Sequence, residues 1–494
     1  MKKTETIIIN FTGGIISPGH LFEVLSVAEL SQVKEVRFGQ RQQLIIDVPV
    51  KHYKTFADTC KKNKIAYSLL KDATPNITSS YPAADIFIND TWLSEGIYKD
   101  VFNMLDATHK LKVSICDHNQ TFIPFFTSNI NWIATTQRHY WFLYIRFPRT
   151  NTLFCWPEEI YTNDIGAVTK AVEKILLDDA YSMISETGDG RRLYNLVKKQ
   201  ISYIGRNVQK DLQLPSFHLP YYEGFNKQGN YYWLGIYKRD EEFSVPFLKD
   251  LCTICMETKV GQFYATPWKS VIIKNIDAAH RSLWDYVLGK YRINVRHAAN
   301  ELNWIVEDNS EDALILKRHI IRYFDKEDVR TYGLCFSIKV KTRTGLFGSV
   351  VIRKCDIKNT SRLKSLERYD ILYTKDFNPN SGELVSFREN VEKDHLGVYL
   401  VSLSKLYYEK TSAVNVLQSH QSAPLAQPAA PVEQKVHQCS KCMTIYDEAA
   451  GDETQGIEAG TAFSDLPDKY CCSLCEEPLN GFVELVLPLR HAER

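Results

Sequence analysis

The sequence predicts an α+β protein with a twofold internal repeat and a small cysteine-bearing domain near its end. Three observations carry this reading. A helix–strand–helix pattern over residues 19–70 returns over 244–294. A stretch rich in Pro, Ala, Gln and Ser and without aromatic residues interrupts the chain at 411–435. Beyond it lie two C-x2-C knots, Cys439–Cys442 and Cys472–Cys475. At 494 residues the chain is too long for one ordinary core, so several domains are expected.

The first copy of the repeat places Leu21, Val24, Leu25 and Ala28 at helical spacing. It then alternates Leu44, Ile46 and Val48 as a strand, and returns to helical period with Tyr53, Phe56 and Cys60. The second does the same with Phe247, Leu251 and Ile254, then Val271 and Ile273, then Leu283 and Val287. Two such units suggest a pseudo-twofold body. The segments between them continue the mixed pattern: "DIGAVTKAVEKILLDDAYSMI" reads as an amphipathic helix, and "YGLCFSIKVKTRTGLFGSVVIRKC" as strands around a glycine-bearing turn. Domain limits are expected at 1–75, 76–228, 229–306 and 307–410, followed by a flexible linker at 411–435 and a terminal domain at 436–494.

Hydrophobic residues make up 44% of the chain, and 60 Lys and Arg nearly cancel 59 Asp and Glu. That balance points to no nucleic-acid partner. The start, "MKKTETIIIN", falls short of a secretory signal, and no stretch approaches the ~18 apolar residues of a membrane span, so a cytoplasmic protein is expected. Cys60, Cys116, Cys155, Cys252, Cys255, Cys335 and Cys355 are scattered and read as small hydrophobes, including the helical pair Cys252 and Cys255.

The terminal knots differ. With 29 residues between Cys442 and Cys472, two tight turns bring four thiolates to one ion, a tetrahedral site for zinc or iron. Spacing alone does not choose between the metals. The intervening "YDEAAGDETQGIEAGTAFSDLPDKY" resembles the rubredoxin family, in Tyr446-Asp447, Gly451-Asp452, Gly456-Ile457, Gly460-Thr461, Phe463 and Asp465-Leu466-Pro467-Asp468. The resemblance implies one iron, cycling between ferric and ferrous, on Cys439, Cys442, Cys472 and Cys475, and leaves Cys471 as a packing residue. Rubredoxins commonly place glycine after each knot, where this chain has Met443 and Glu476.

The two repeat copies resemble the ferredoxin-like half-domains of sirohaem nitrite and sulfite reductases, in "VRFGQRQQLIIDV" and "FYATPWKSVIIKNI". The first keeps Arg41 and Gln42; the second keeps Thr266 and Pro267 but carries Trp268 and Lys269. The resemblance implies sirohaem-domain-like α/β halves for the remaining segments and a pocket in which Arg41 and Lys269 face a tetrapyrrole or an anion. The family's C-x5-C and C-x3-C cysteines for an iron–sulfur cluster are absent, so neither sirohaem nor six-electron reduction is expected.

Residues 439–484 hold ten acids and two bases, a balance of −8 in a chain of net +1. The remainder is therefore basic. An acidic redox module on a tether fits an electron carrier that docks on the basic body or on a separate redox partner, a reductase or an electron donor, in nitrite or sulfite assimilation. The alternatives are a divergent sirohaem-type reductase fed by the tethered iron, and a zinc-stapled scaffold.

Overall fold

The computed structural model describes residues 3–105, 109–340, 347–355, 367–421, 433–448 and 451–488. The chain forms two compact units, Met1–Tyr407 and Tyr408–Arg494.

In the first unit both repeat copies open alike. Pro18 begins the helix Pro18–Leu30 after Ser17, and Pro246 lies in the first turn of Val245–Glu257 after Ser244. A proline there loses no hydrogen bond, because first-turn N–H groups have no partner within the helix. Leu21, Val24, Leu25 and Ala28 of one helix and Leu248, Leu251, Cys252 and Cys255 of the other are each at most 1% exposed. The two helices pack against each other. Burial on this seam raises the thiol of Cys252 to about 12 and that of Cys255 still further, so both are inert core groups.

Each copy carries two strands where one is expected. Glu35–Phe38 precedes Leu44–Pro49, and Phe263–Ala265 precedes Val271–Asp277. The extra strands are short, and their alternation is too brief to register as a period. The turns joining each pair share one hydrogen-bond scheme. Gly39 N donates to Gln43 O and Gln42 N to Gly39 O, as Thr266 N does to Ser270 O and Lys269 N to Thr266 O.

The two sheets built on these hairpins exchange edges. In one the order is Phe243–Ser244, Glu35–Phe38, Leu44–Pro49, Thr4–Ile9, Ser68–Leu69. In the other it is Ile15–Ile16, Phe263–Ala265, Val271–Asp277, Tyr231–Ile236, Gly224–Gln228. The residues just before the first helix thus pair into the second sheet, Ile16 opposite Phe263, and those just before the second helix pair into the first, Phe243 opposite Val36.

Two larger sheets repeat the symmetry. Thr78–Ser79, Val113–Cys116 and Ile130–Ala134 run parallel and are followed by antiparallel Tyr140–Arg146 and Glu158–Tyr161. Trp304–Val306, Phe336–Lys339 and Val350–Lys354 run parallel and are followed by antiparallel Arg368–Thr374 and Leu384–Glu392. The strands expected around a glycine turn at 332–355 are therefore present but parallel, and a tight turn does not join parallel strands. Residues 341–346 of their connection lie outside the described residues. The long helix Leu396–Gln421 runs on into the stretch expected as a flexible linker, whose residues 422–432 lie outside the described residues. Its alanine, leucine and glutamine favour helix, and Pro424 is the first residue of the stretch that forbids it.

Lys274, on the strand Val271–Asp277, is 4% exposed. Its Nζ donates to Tyr81 O at 3.1 Å and Ala84 O at 2.7 Å, and sits 4.4 Å from the centre of the Tyr264 ring. Burial lowers its pKa to about 8, against partial compensation from Asp85 and Glu95. Below about pH 8 both folded and unfolded chains hold the proton and the burial penalty is present in full. Between about 8 and 10.5 the folded chain releases it while the unfolded chain keeps it, so stability rises with pH. Chemical denaturation from pH 7.5 to 10.5 is expected to show the wild type gaining up to roughly 3 kcal/mol relative to Lys274→Met.

Candidate metal centre

The second unit is built on a three-stranded antiparallel sheet, Ile445–Tyr446, Glu433–Cys439 and Phe482–Pro488, with Glu433–Cys439 in the middle. Among the described residues, a small core of Tyr446, Leu466 and Tyr470 is extended by Ile457, Phe463, Leu479 and Phe482. The His437 ring stacks on Phe463 at 3.8 Å. Tyr446 donates to Thr461 O at 3.0 Å and Tyr470 to Asp452 Oδ2 at 3.1 Å, which ties the long loop between the knots to this core. Gly451, at φ +69°, has its α-carbon against the Glu458 carbonyl, where an added Cβ would lie 2.6 Å from the oxygen.

Each knot is a knuckle closed by the same pair of backbone bonds. Cys439 N donates to Thr444 O and Met443 N to Cys439 O; Cys472 N donates to Glu477 O and Glu476 N to Cys472 O. The geometry needs a left-handed residue just past the second cysteine, and Met443 and Glu476 adopt it, at φ 64° and 58°. Without glycine there, each position carries strain of about 1 kcal/mol.

The knuckles bring Cys439, Cys442, Cys472 and Cys475 together, with all four sulfurs within 4.8 Å of one another. Cys439 and Cys475 Sγ are 3.5 Å apart, and Cys442 and Cys472 Sγ 3.4 Å. A tetrahedron with metal–sulfur bonds of about 2.3 Å has edges of about 3.8 Å, so the quartet fits one tetrahedral ion. Cys439 and Cys472 are buried, whereas Cys442 and Cys475 are partly exposed. The Thr444 hydroxyl and N–H draw the Cys442 thiol down to about 6. Cys471 stands outside the quartet, its sulfur 3.7 Å from Gln455 Nε2. Thr444 escapes a motif search because a hydroxyl two residues past a knot belongs to no spacing rule.

In the first unit the residues expected to face an anion are engaged internally. Arg41 donates to Asn76 O, Val113 O and Ser128 Oγ, and burial lowers its pKa to about 10. It does line a recess of ≈ 570 Å³, part of it open to solvent, together with Lys112, Thr78, Ile123 and Phe347. Lys269, 5% exposed, is not at that recess. Its Nζ pairs with Glu241 at 2.6 Å, and Glu241 also faces Lys317 at 3.5 Å. Burial pushes the Glu241 carboxyl up, but the two lysines hold it below its ordinary value. Each of the two cations thus has protein partners of its own, and Asp308 lies near both. Glu241, far from Lys269 in sequence, supplied no signal that the lysine would be neutralised. In the basic segment from Arg191 to Arg206, Lys198 pairs with Glu158 and Arg206 with Glu159.

Among the described residues, the four cysteines are the only group of three or more His, Cys, Asp or Glu side chains able to share a metal. Cys335 is hydrogen-bonded to Ser349 and Cys355 to Asp370.

The fold and the site define a four-thiolate metal domain attached to a pseudo-twofold α+β body. The rubredoxin family matches residues 436–482. Probable rubredoxin HupI of Bradyrhizobium diazoefficiens is 38% identical over 48 residues, 10% of this chain and 70% of that protein. Rubredoxin-2 of Alcanivorax borkumensis is 57% identical over 45 residues, 9% of this chain, and the match spans only 26% of that relative. Through this terminal segment the chain belongs to the rubredoxin family. Its body is similar to the NirA protein of Mycobacterium tuberculosis, with a TM-score of 0.61 over 81% of this chain and 80% of that one. At 12% identity this is a likeness of fold, and it bears out the mixed α+β architecture expected for the body. No helix among the described residues is long and apolar enough to cross a membrane.

Replacing Met443 or Glu476 by glycine removes the left-handed strain at the cost of a more flexible unfolded chain. Each variant is expected to stabilise the terminal unit by a few tenths to about 1 kcal/mol, read as a later loss of the metal chromophore on heating.

Proposed function

We propose that this protein is an electron carrier that holds one iron on Cys439, Cys442, Cys472 and Cys475 and passes single electrons to or from a reductase of nitrite or sulfite assimilation. The observation that carries the reading is the sulfur quartet, whose 3.4 and 3.5 Å edges suit one tetrahedral ion. Iron bound there supplies a one-electron ferric/ferrous couple with little change in geometry. The chain does the rest. Cys439 and Cys472 anchor the site in the small core, while Cys442 and Cys475 reach the surface beside Met443 and Leu474, which are 69% and 75% exposed. The partly exposed sulfurs bring the centre close to a docked redox partner, and the acidic surroundings orient a basic one.

The likeness of the body to NirA supports a place near nitrite or sulfite reduction. The basic remainder of the chain offers one complementary surface for the acidic module, and a separate reductase offers another. A cytoplasmic setting agrees with twelve cysteines that are all free. The recess at Arg41 and Lys112 favours one second reading, in which the body binds an anion or a tetrapyrrole and receives electrons from the terminal iron.

Protein purified without added metal is expected to contain one iron per chain, to be coloured when oxidised, and to bleach and recover through a reduction cycle. Cys442→Ser should abolish or strongly alter the colour, whereas Cys471→Ser should leave it unchanged. Stoichiometric zinc in a colourless protein would falsify the carrier reading, and an extractable tetrapyrrole with a haem-like spectrum would favour the second reading.

A further inference from the structure

The two knuckles are alike in backbone but not in what their third residue offers the sulfur. Thr444 follows Cys442 by two positions, and its Oγ1 lies 3.1 Å from Cys442 Sγ. A thiolate bound to a metal has no proton, so in the loaded site the hydroxyl is the donor. Glu477 follows Cys475 by the same two positions. Its carboxylate has no proton to give and turns instead to Lys441 at 3.4 Å. Among the described residues, Cys442 therefore receives a hydroxyl donor that has no counterpart at Cys475, and Cys442 is one of the two partly exposed sulfurs.

We propose that Thr444 is a potential-tuning residue, whose hydroxyl bond to the Cys442 sulfur favours the reduced state of the centre. The proposal rests on the iron-carrier reading above. Reduction adds one negative charge, which the sulfurs share, and a donor aimed at a sulfur stabilises the more negative state. The bond lies at a half-buried position beside the surface, where water competes only partly with it. The asymmetry also makes Cys442 the more polarised of the two exposed ligands, so the knuckles are unequal as points of electron exit.

The test is a mediated redox titration of the full chain, followed by its visible spectrum, for the wild type, Thr444→Val and Thr444→Ser. Valine keeps the β-branched shape and removes the donor; serine keeps the donor. Thr444→Val is expected to shift the equilibrium three- to tenfold toward the oxidised form, a lower potential by up to about 59 mV at tenfold. Its sulfur-to-iron absorption bands should move with the potential, and Thr444→Ser should stay near the wild type in both. Reversible iron at an unchanged potential in Thr444→Val overturns the proposal and leaves the carrier reading intact. An equal fall in both variants also overturns it, because packing rather than the hydroxyl would then be responsible. Wild-type protein without reducible iron overturns the carrier reading and the proposal together.

Discussion

Each half of the body leaves a hairpin edge that only the other half covers, and the rest of the first unit is arranged around that exchange. Ile15–Ile16 closes the sheet of the second copy and Phe243–Ser244 closes that of the first. An open edge carries unpaired N–H and C=O groups that cost free energy when buried and invite pairing with other chains when exposed. Trading the strands just ahead of each helix removes both liabilities and holds the two helices face to face. Neither copy is then complete as a sheet without the other, which accounts for a repeat that comes in a pair rather than singly.

The two hairpin turns show how far sequence divergence goes while the backbone stays put. Gln42 and Lys269 occupy equivalent left-handed positions, at φ 61° and 55°. Gln42 is held by Ser79 and Ala265, reaching across to the other sheet, whereas Lys269 is held by Glu241. Asp308 serves both turns, accepting from Gln40 N and lying 3.5 Å from Lys269 Nζ. Strain of about 1 kcal/mol at each turn is thus offset by long-range bonds whose chemistry differs between the copies. Trp268 stands where the first copy has Arg41 and is buried, donating to Phe122 O and stacking on Tyr222. The cationic character expected of both turns survives at the recess in one of them.

The terminal unit depends on a different economy. Among the described residues, Tyr446, Leu466 and Tyr470 make a small core for a folded unit, and metal binding would couple directly to its folding. Met443 and Glu476 accept backbone strain that glycine avoids, in exchange for side chains beside the partly exposed sulfurs. With Thr444 over one knuckle and the Lys441–Glu477 pair over the other, the near-symmetric knuckles become chemically unequal. That inequality is a property of this chain's residues, laid on two knuckles of matching backbone bonds.

Much of this was legible in the linear text. The repeat was visible because helical and strand periods report burial directly, and the four ligands because C-x2-C forces two thiolates to one side of a tight turn. The resemblance of the loop between the knots to rubredoxins implied Cys472 rather than Cys471 as the ligand. What the sequence by itself determined was therefore whatever depends on neighbours within a few residues: the helices with their prolines, the knuckles and their left-handed positions, and the acidic terminal unit. Tertiary structure alone decided the pairings between distant residues. It placed Phe243 against Val36, ran Phe336–Lys339 and Val350–Lys354 parallel, gave Lys269 to Glu241 rather than to a pocket, and left Arg41 beside Lys112. Local periodicity is set by which face of an element is buried; the partner that buries it is chosen by the whole fold, and no spacing rule encodes that choice.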